Sequence, residues 1–255
     1  MKALVIGAGQ IGQAVYKIIK PVHEAHLRDV EEMSVDGIEV LHICYPDSLD
    51  FVTNTLAYIE RYQPAFTLIH SSIAVGKTDE CGEHVLHCPV RGRHPNLEKE
   101  IPAFQLFVAG RKEEDALKAQ EYLERCDLVV KRIDEPRATE VCKLLSNIHM
   151  GLEIAWRQEV DRILSEFGIS AGIYEAWEDS YNLGYRITGD EHLTRPRLKP
   201  DPIGGHCILQ CLEILRAQYG STLLDAINES NEKTKRSRKP SDHAAIAPDR
   251  QPVSA

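Results

Sequence analysis

Lys2-Ala3-Leu4-Val5-Ile6 followed by Gly7-Ala8-Gly9-Gln10-Ile11-Gly12 constrains this chain more than any other stretch. Five residues of buried-strand type pass through a glycine turn into an apolar-periodic run from Ile11 to Ile19, which Pro21 ends. Strand, turn and helix in that order open a βαβ unit. In such a turn the first glycine makes the tight bend, the second lets a phosphate approach the backbone, and the third lets the helix pack closely on the strand. Gly7, Gly9 and Gly12 therefore predict a dinucleotide site. Gln10 and Ile11 open the helix whose free N–H groups and positive dipole end would meet the pyrophosphate. Asp29 closes the second strand pattern, 23–30, at the spacing where a carboxylate binds the ribose hydroxyls of NAD. Arg28 beside it keeps NADP open, since a cation can accommodate a 2′-phosphate. The competing reading is a glycine turn that holds no dinucleotide; the agreement of motif, strand, helix and acid weighs against it.

Further strand patterns fall at 38–45, 66–72, 84–90, 104–110 and 127–133, with helical patterns at 48–62 and 112–125 between them. Strands alternating with helices predict an α/β fold with a Rossmann-type, doubly wound, mainly parallel sheet over residues 1–133. The character changes at Asp134-Glu135-Pro136. From there to Phe167 the apolar residues recur at helical spacing, which predicts one long helix and an all-helical domain over 134–228. Gly168 and Ser170 should end that helix and cap another running to about Leu183. A loop rich in Pro and Arg, 194–205, leads to what reads as the final helix, Ile208 to Gln218. Residues 229–255 have little to bury and are expected to be a disordered tail.

A net charge of −9 provides no electrostatic footprint for nucleic acid or an anionic membrane. No apolar run approaches the roughly 20 residues of a membrane span. Seven scattered cysteines, odd in number and without a framework spacing, suit a reducing compartment, so a cytoplasmic location is expected. Cys81, His84, His87 and Cys88 invite a zinc reading. On a strand, however, positions 84 and 87 point to opposite faces, so core and surface roles are favoured and no metal is expected.

Two clusters carry candidate chemistry. Lys143 and Asn147 share a face of the long helix at i, i+4, where they would hydrogen-bond a substrate oxygen and stabilise an alkoxide; the alternative is a solvated polar edge. Gly204-Gly205-His206-Cys207 sets a thiol at a helix start behind two glycines that let a ligand come close; the alternative is a buried structural cysteine.

The order GAGQIG, ICYP, SSIAVGKT, KLLSN and DPIGGHC resembles the nucleotide-sugar 6-dehydrogenase family, typified by UDP-glucose and GDP-mannose dehydrogenases, within the wider 6-phosphogluconate dehydrogenase-like superfamily. The resemblance runs from residue 1 to about 216. It implies two successive hydride transfers to NAD, with Cys207 capturing the aldehyde as a thiohemiacetal and then carrying a thioester that water hydrolyses. Lys143 and Asn147 would stabilise the oxyanions and position water. Tyr45, Pro46 and Ser72 would lie beside the cofactor, Ser72 standing where the family usually has Thr near the nicotinamide. The long helix would contribute to a homodimer interface.

The chain departs from that pattern in three places. Where the family has a Pro-Glu pair it reads Cys88-Pro89-Val90-Arg91, four residues after Cys207 stands Cys211 in place of an Asp, and a shortened form without the family's third, nucleotide-binding domain is expected. Arg91, Arg93 and His94, which follow a strand, are candidate anion-binding residues with Gly204 and Gly205, the alternative being a solvated loop. The expected function is an NAD(P)-dependent oxidoreductase acting on a hydroxyl of a small anionic or sugar-like substrate. A single two-electron dehydrogenase and a non-catalytic NAD-binding regulator are the alternatives.

Overall fold

The computed structural model describes residues 1–29, 31 and 33–237. The chain divides into two compact units, one made of Met1–Asn147 with Glu213–Gln218, the other of Ile148–Leu212 with the described residues from Tyr219 onward.

The first unit is a seven-stranded sheet. Its strands are β1 (Lys2–Ile6), β2 (Glu24–Arg28), β3 (Val40–Ile43), β4 (Phe66–Ile69), β5 (Val85–His87), β6 (Leu106–Ala109) and β7 (Val130–Ile133), in the order β2-β1-β3-β4-β5-β6-β7. All neighbours are parallel except β5 and β6. The helices α1 (Gln10–Ile19), α2 (Phe51–Tyr62) and α5 (Glu113–Glu124) match the helical patterns, and two single-turn helices, α3 (Lys77–Glu80) and α4 (Leu97–Glu100), lie in the connections. Alternation along the strands sorts the core. Ala3 and Val5 pack with Ala14, Val15 and Ile19 of α1 and with Tyr122 of α5, while Leu4 and Ile6 pack with Phe51 and Tyr62 of α2. Helices on both faces make the sheet doubly wound, and each fully buried Leu or Ile contributes about 1.5–3 kcal/mol.

Polar residues cross this core in a directed chain. The Cys88 carbonyl only accepts, so His70 must donate to it through Nδ1 (2.8 Å), leaving His70 Nε2 to accept from His42 Nδ1 (2.8 Å). His42 Nε2 then accepts from the Tyr122 hydroxyl at 3.0 Å. Both rings are therefore neutral. Burial holds His42 well below the ordinary imidazole range and His70 down at about 4. His87, bonded to the Ser71 carbonyl and Thr139 Oγ1, is held by burial at about 3. His84 is half exposed on the other side of the strand start, where it meets Asp115.

The second unit is helical. Helix α6 (Pro136–Glu166) spans the division between the units and is followed by α7 (Ala171–Thr188), α8 (His206–Gln218) and α9 (Thr222–Ser237). Three expectations need correction here. Ser170 stands at the N-cap position of α7 with extended backbone but makes no side-chain capping bond. That helix runs five residues past Leu183, to Thr188, where Gly189 takes the left-handed conformation that ends it. Finally, α8 is not the last helix, and residues 229–237 of the expected tail are ordered in α9. The buried face of α9 begins apolar with Leu224 and Ile227 but continues through Ser230, Asn231 and Thr234. Hydrogen bonds replace apolar contact on that half. Arg162 donates to Ser230 Oγ (2.6 Å) and Thr234 Oγ1 (3.0 Å), and Asn231 Oδ1 accepts from Ile203 N (2.7 Å). The rest of the expected tail, 238–255, lies outside the described residues.

Candidate functional site

The parallel strands β1, β3, β4 and β5 end on the same edge of the sheet, and the order reverses beside β1, whose neighbours are β2 and β3. Ligands of open α/β sheets bind at such a switch point. The glycine turn lies there, between β1 and α1. Gly7 has φ +99°, and a Cβ on it would stand 3.0 Å from the backbone of Cys44 and Tyr45. A Cβ on Gly12 would stand 1.8 Å from the Gly7 carbonyl oxygen, so the helix can pack here only without a side chain. Gly9, the extended N-cap of α1, has nothing within 4 Å of where its Cβ would be. The chain itself requires Gly7 and Gly12. The open space at Gly9 is what a group approaching the helix N-terminus from outside would use.

Asp29, just past β2, accepts from Ala8 N at 3.3 Å, so its carboxylate stands beside the turn. Arg28 does not. It is buried, donates to Tyr62 Oη (3.0 Å) and the Glu31 carbonyl (2.9 Å), and its guanidinium lies over the Tyr58 ring. Tyr45 and Pro46 follow β3 on the same edge. The Tyr45 hydroxyl bonds to Thr55 Oγ1 at 2.6 Å, and burial raises its pKa. Ser72 follows Ser71, whose hydroxyl donates to the Tyr45 carbonyl at 2.5 Å and ties the ends of β3 and β4 together.

The loop after β4 is held by groups with no local sequence signature. Glu140 of α6, fully buried, accepts from Gly76 N (2.6 Å), Thr78 N (2.9 Å) and Thr78 Oγ1 (2.6 Å), and so takes the donors at the start of α3. Asp47 accepts from Ala74 N at 3.1 Å and pairs with Lys77. Gln218 bonds both N and O of Val75. One turn beyond Glu140, Lys143 reaches the end of β5 and donates to the Val90 carbonyl at 2.9 Å. Asn147 is half-buried on the next turn of α6. Burial, with the Lys143 charge second, lowers the pKa of His94.

Arg91 and Arg93 are engaged within their own segment. Arg91 donates to the Gln105 carbonyl (2.6 Å) with its guanidinium over Phe104 and Phe107, and Arg93 pairs with Glu100 at 3.3 Å. Val90, in the place of the expected carboxylate, is a buried apolar side chain.

In the second unit, Cys207 is the second residue of α8 and is half-buried, with Gly205 before it at φ +80° and Gly204 exposed. Its seat is set by Gly151 of α6, where a Cβ would stand 2.8 Å from Ile208. The preceding loop is anchored by Gln158, which donates to the Asp201 carbonyl at 2.8 Å, and by Asn231. Cys211 is fully buried. Among the described residues no His, Cys, Asp and Glu group is placed to hold a metal ion, and no helix is long and apolar enough to cross a membrane.

No protein-family model matches the chain. Over 150 residues it is 29% identical to UDP-N-acetyl-D-mannosamine dehydrogenase of Methanocaldococcus jannaschii, covering 55% of this chain and 33% of that protein. The chain thus spans about a third of the length of this curated relative. Among solved structures, UDP-D-ManNAc dehydrogenase of Pyrococcus horikoshii superposes with a TM-score of 0.74 at 17% identity, over 92% of this chain and 69% of that one. The 3-hydroxyisobutyrate dehydrogenase of Mycobacterium tuberculosis, solved with L-serine, superposes with a TM-score of 0.63 at 14% identity over 92% of both chains. The relatives are thus nucleotide-sugar dehydrogenases and 3-hydroxyacid dehydrogenase-like proteins, and the fold is theirs: a Rossmann-type α/β sheet followed by helices.

Proposed function

We propose that the chain is an NAD(P)-dependent oxidoreductase that moves hydride between the nicotinamide and a hydroxyl-bearing carbon of a small anionic or sugar-like substrate. The observation that carries this reading is the glycine turn, where the chain's own packing needs Gly7 and Gly12 but leaves Gly9 open beside Asp29. Gly9 and the start of α1 would take the pyrophosphate, Asp29 the adenosine ribose, and Tyr45, Pro46 and Ser72 the remainder of the cofactor. When bound, the nicotinamide supplies the hydride acceptor or donor. Lys143, held at the end of β5 by Val90, would place its ammonium at the reacting oxygen and stabilise the developing alkoxide, with Asn147 beside it. Replacing Lys143 with Met is expected to lower kcat by about 10²–10³-fold while leaving NADH affinity and Tm near wild type. Equal activity in this variant would remove Lys143 from the site.

NAD is the expected cofactor, since Arg28 is committed to Tyr62 and Tyr58 and Asp29 would repel a 2′-phosphate. Titration should show NADP binding at least about tenfold weaker than NAD; equal affinities would contradict this assignment.

One observation favours one two-electron step over the four-electron reaction implied by the resemblance. Val90 and Cys211 are buried, and neither can activate water for thioester hydrolysis. A panel of 3-hydroxyacids and UDP-sugars, followed by NADH absorbance, separates the two. One NADH per substrate with an active Cys207→Ala variant supports the single step. Two NADH and a Cys207 thioester trapped in mass spectrometry support Cys207 as covalent catalyst. We further propose a cytoplasmic homodimer, the compartment resting on seven scattered cysteines of which none is in a disulfide.

A further inference from the structure

Within the second unit, α6, α7 and the loop before α8 line a cleft of about 330 Å³. Arg157 of α6 lies in its wall and is only 6% exposed. Its Nη2 donates to Glu175 Oε1 at 3.0 Å, and its guanidinium lies over the Tyr174 ring. Nη1, however, is 4.0 Å from Glu178 Oε2, beyond hydrogen-bond length, and both Nη1 and Nε are buried with no hydrogen-bond partner among the described residues. A buried cationic donor left unbonded is costly. One turn earlier on the same face of α6, Glu153 also lines the cleft, half-buried and with no hydrogen bond or ion pair among the described residues.

The groups around the cleft narrow what would fill it. The two cations, Arg157 and Arg195, are balanced by the two acids, Glu153 and Glu178, so a ligand without net charge suits the site. A lone carboxylate would satisfy Arg157 but stand among uncompensated acids, and a lone amine would leave Arg157 unbonded. A free α-amino acid carries both charges on one carbon. Glu153 and Arg157, at i, i+4, hold their Cβ atoms about 5–6 Å apart, close enough to serve both. The remaining wall is apolar. Trp156 and Leu198 face the cleft, and Trp156 is 58% exposed, a large ring that a ligand would cover. The Tyr174 hydroxyl, which donates to Glu178 and accepts from the Trp156 indole, braces that wall in advance of any ligand. A cleft of this volume is at the lower end for small-molecule sites, too small for a dinucleotide.

We propose that this cleft binds a free α-amino acid with an apolar side chain, its carboxylate on Arg157, its ammonium on Glu153 and its side chain against Trp156 and Leu198. The site is formed by the second unit alone and shares no residue with the dinucleotide site, so it stands whether or not the chain is an oxidoreductase.

Isothermal titration calorimetry of the full chain with L-phenylalanine and L-leucine tests the assignment. At least one of them is expected to bind at one site per chain. For the one that binds, the analogue lacking the ammonium (3-phenylpropionate for phenylalanine, 4-methylpentanoate for leucine) and the analogue lacking the carboxylate (2-phenylethylamine, 3-methylbutylamine) should each bind at least about tenfold more weakly, the loss of one charge-assisted hydrogen bond. L-Glutamate, with a third charge facing the apolar wall, should be excluded. Arg157 also holds α7 through Glu175, so the decisive variants are Glu153→Gln and Leu198→Trp, neither of which removes a bond the fold uses. The first should weaken amino-acid binding about tenfold or more and the second, by filling the cleft, should abolish it, with wild-type helix content by circular dichroism in both. No heat from either amino acid at millimolar concentration would overturn the site. Binding unchanged in both variants would place the ligand elsewhere and overturn it equally. A carboxylate or amine analogue that binds as tightly as its amino acid would overturn the ligand class.

Discussion

Replacing Gly12 with Ala is expected to destabilise the first βαβ unit strongly, whereas replacing Gly9 with Val should leave the fold intact and remove dinucleotide binding. Both residues belong to one short motif, yet the structure separates them. The added methyl at position 12 would stand 1.8 Å from a backbone carbonyl at the end of β1, and neither the strand nor α1 can retreat without opening the core around Ala14, Val15 and Ile19. Overpacking of this kind costs about 3 kcal/mol or more, enough to lower Tm by about 10 °C in a domain of this size. Position 9 is extended and open, so valine fits the protein but occupies the space assigned to the pyrophosphate. Thermal unfolding should move by no more than about 2 °C, while NADH affinity falls at least about a hundredfold, close to 3 kcal/mol. Wild-type stability in Gly12→Ala, or wild-type NADH affinity in Gly9→Val, would contradict the division of roles.

The second large effect is acid sensitivity well above the carboxylate range. His42, His70 and His87 sit neutral in the folded core, with burial lowering all three below the ordinary imidazole value of 6.5, His70 to about 4 and His87 to about 3. In the unfolded chain they titrate normally. The unfolded state therefore binds more protons as pH drops below 6.5, so this contribution is fully present above about pH 7 and is lost as pH falls toward the folded values. At pH 5.5 each histidine has given up about 1 kcal/mol relative to pH 7, and the three together a few kcal/mol. Most carboxylates are still ionised at that pH, which makes the window between 7 and 5.5 diagnostic. Denaturant unfolding at both pH values should show this loss in wild type. A His42→Phe, His70→Leu double variant, less stable at pH 7 through the orphaned Tyr122 hydroxyl and Cys88 carbonyl, should show a visibly shallower pH dependence. Equal slopes would mean that the histidines are not held neutral.

The parts of the molecule legible in the sequence are those whose reasons are local. The turn at Gly7 to Gly12 and the strand alternation of Leu4 and Ile6 follow from steric and periodic rules acting over a few residues, and Asp29 follows from a fixed spacing. Arg28 obeys the same rules: as a strand residue it sends its side chain into the protein at Tyr62, although it adjoins Asp29 in sequence. Helix α9 was illegible because apolar periodicity fails where Ser230, Asn231 and Thr234 carry the buried face. Their partners, Arg162 and Ile203, are distant in sequence. Glu140 and Gln218 are of the same kind, since nothing in the spacing of a glutamate on a long helix announces the backbone N–H groups of residues 76 and 78. His42 and His70 stand out within apolar strand runs, but their order as a directed chain depends on the register of three strands and one helix. Arg91, a natural anion ligand by type, is drawn instead onto two aromatic rings.

The central claim, that the edge of the sheet at Gly9 and Asp29 holds a dinucleotide, is tested most directly by titrating the chain with NADH while following both nicotinamide fluorescence and thermal unfolding. One site per chain is expected, with NAD competing, and a stabilisation of about 2.7 kcal/mol when NADH stands at a hundred times its dissociation constant. A folded chain whose Tm and NADH emission are both unmoved at millimolar NADH would contradict the account.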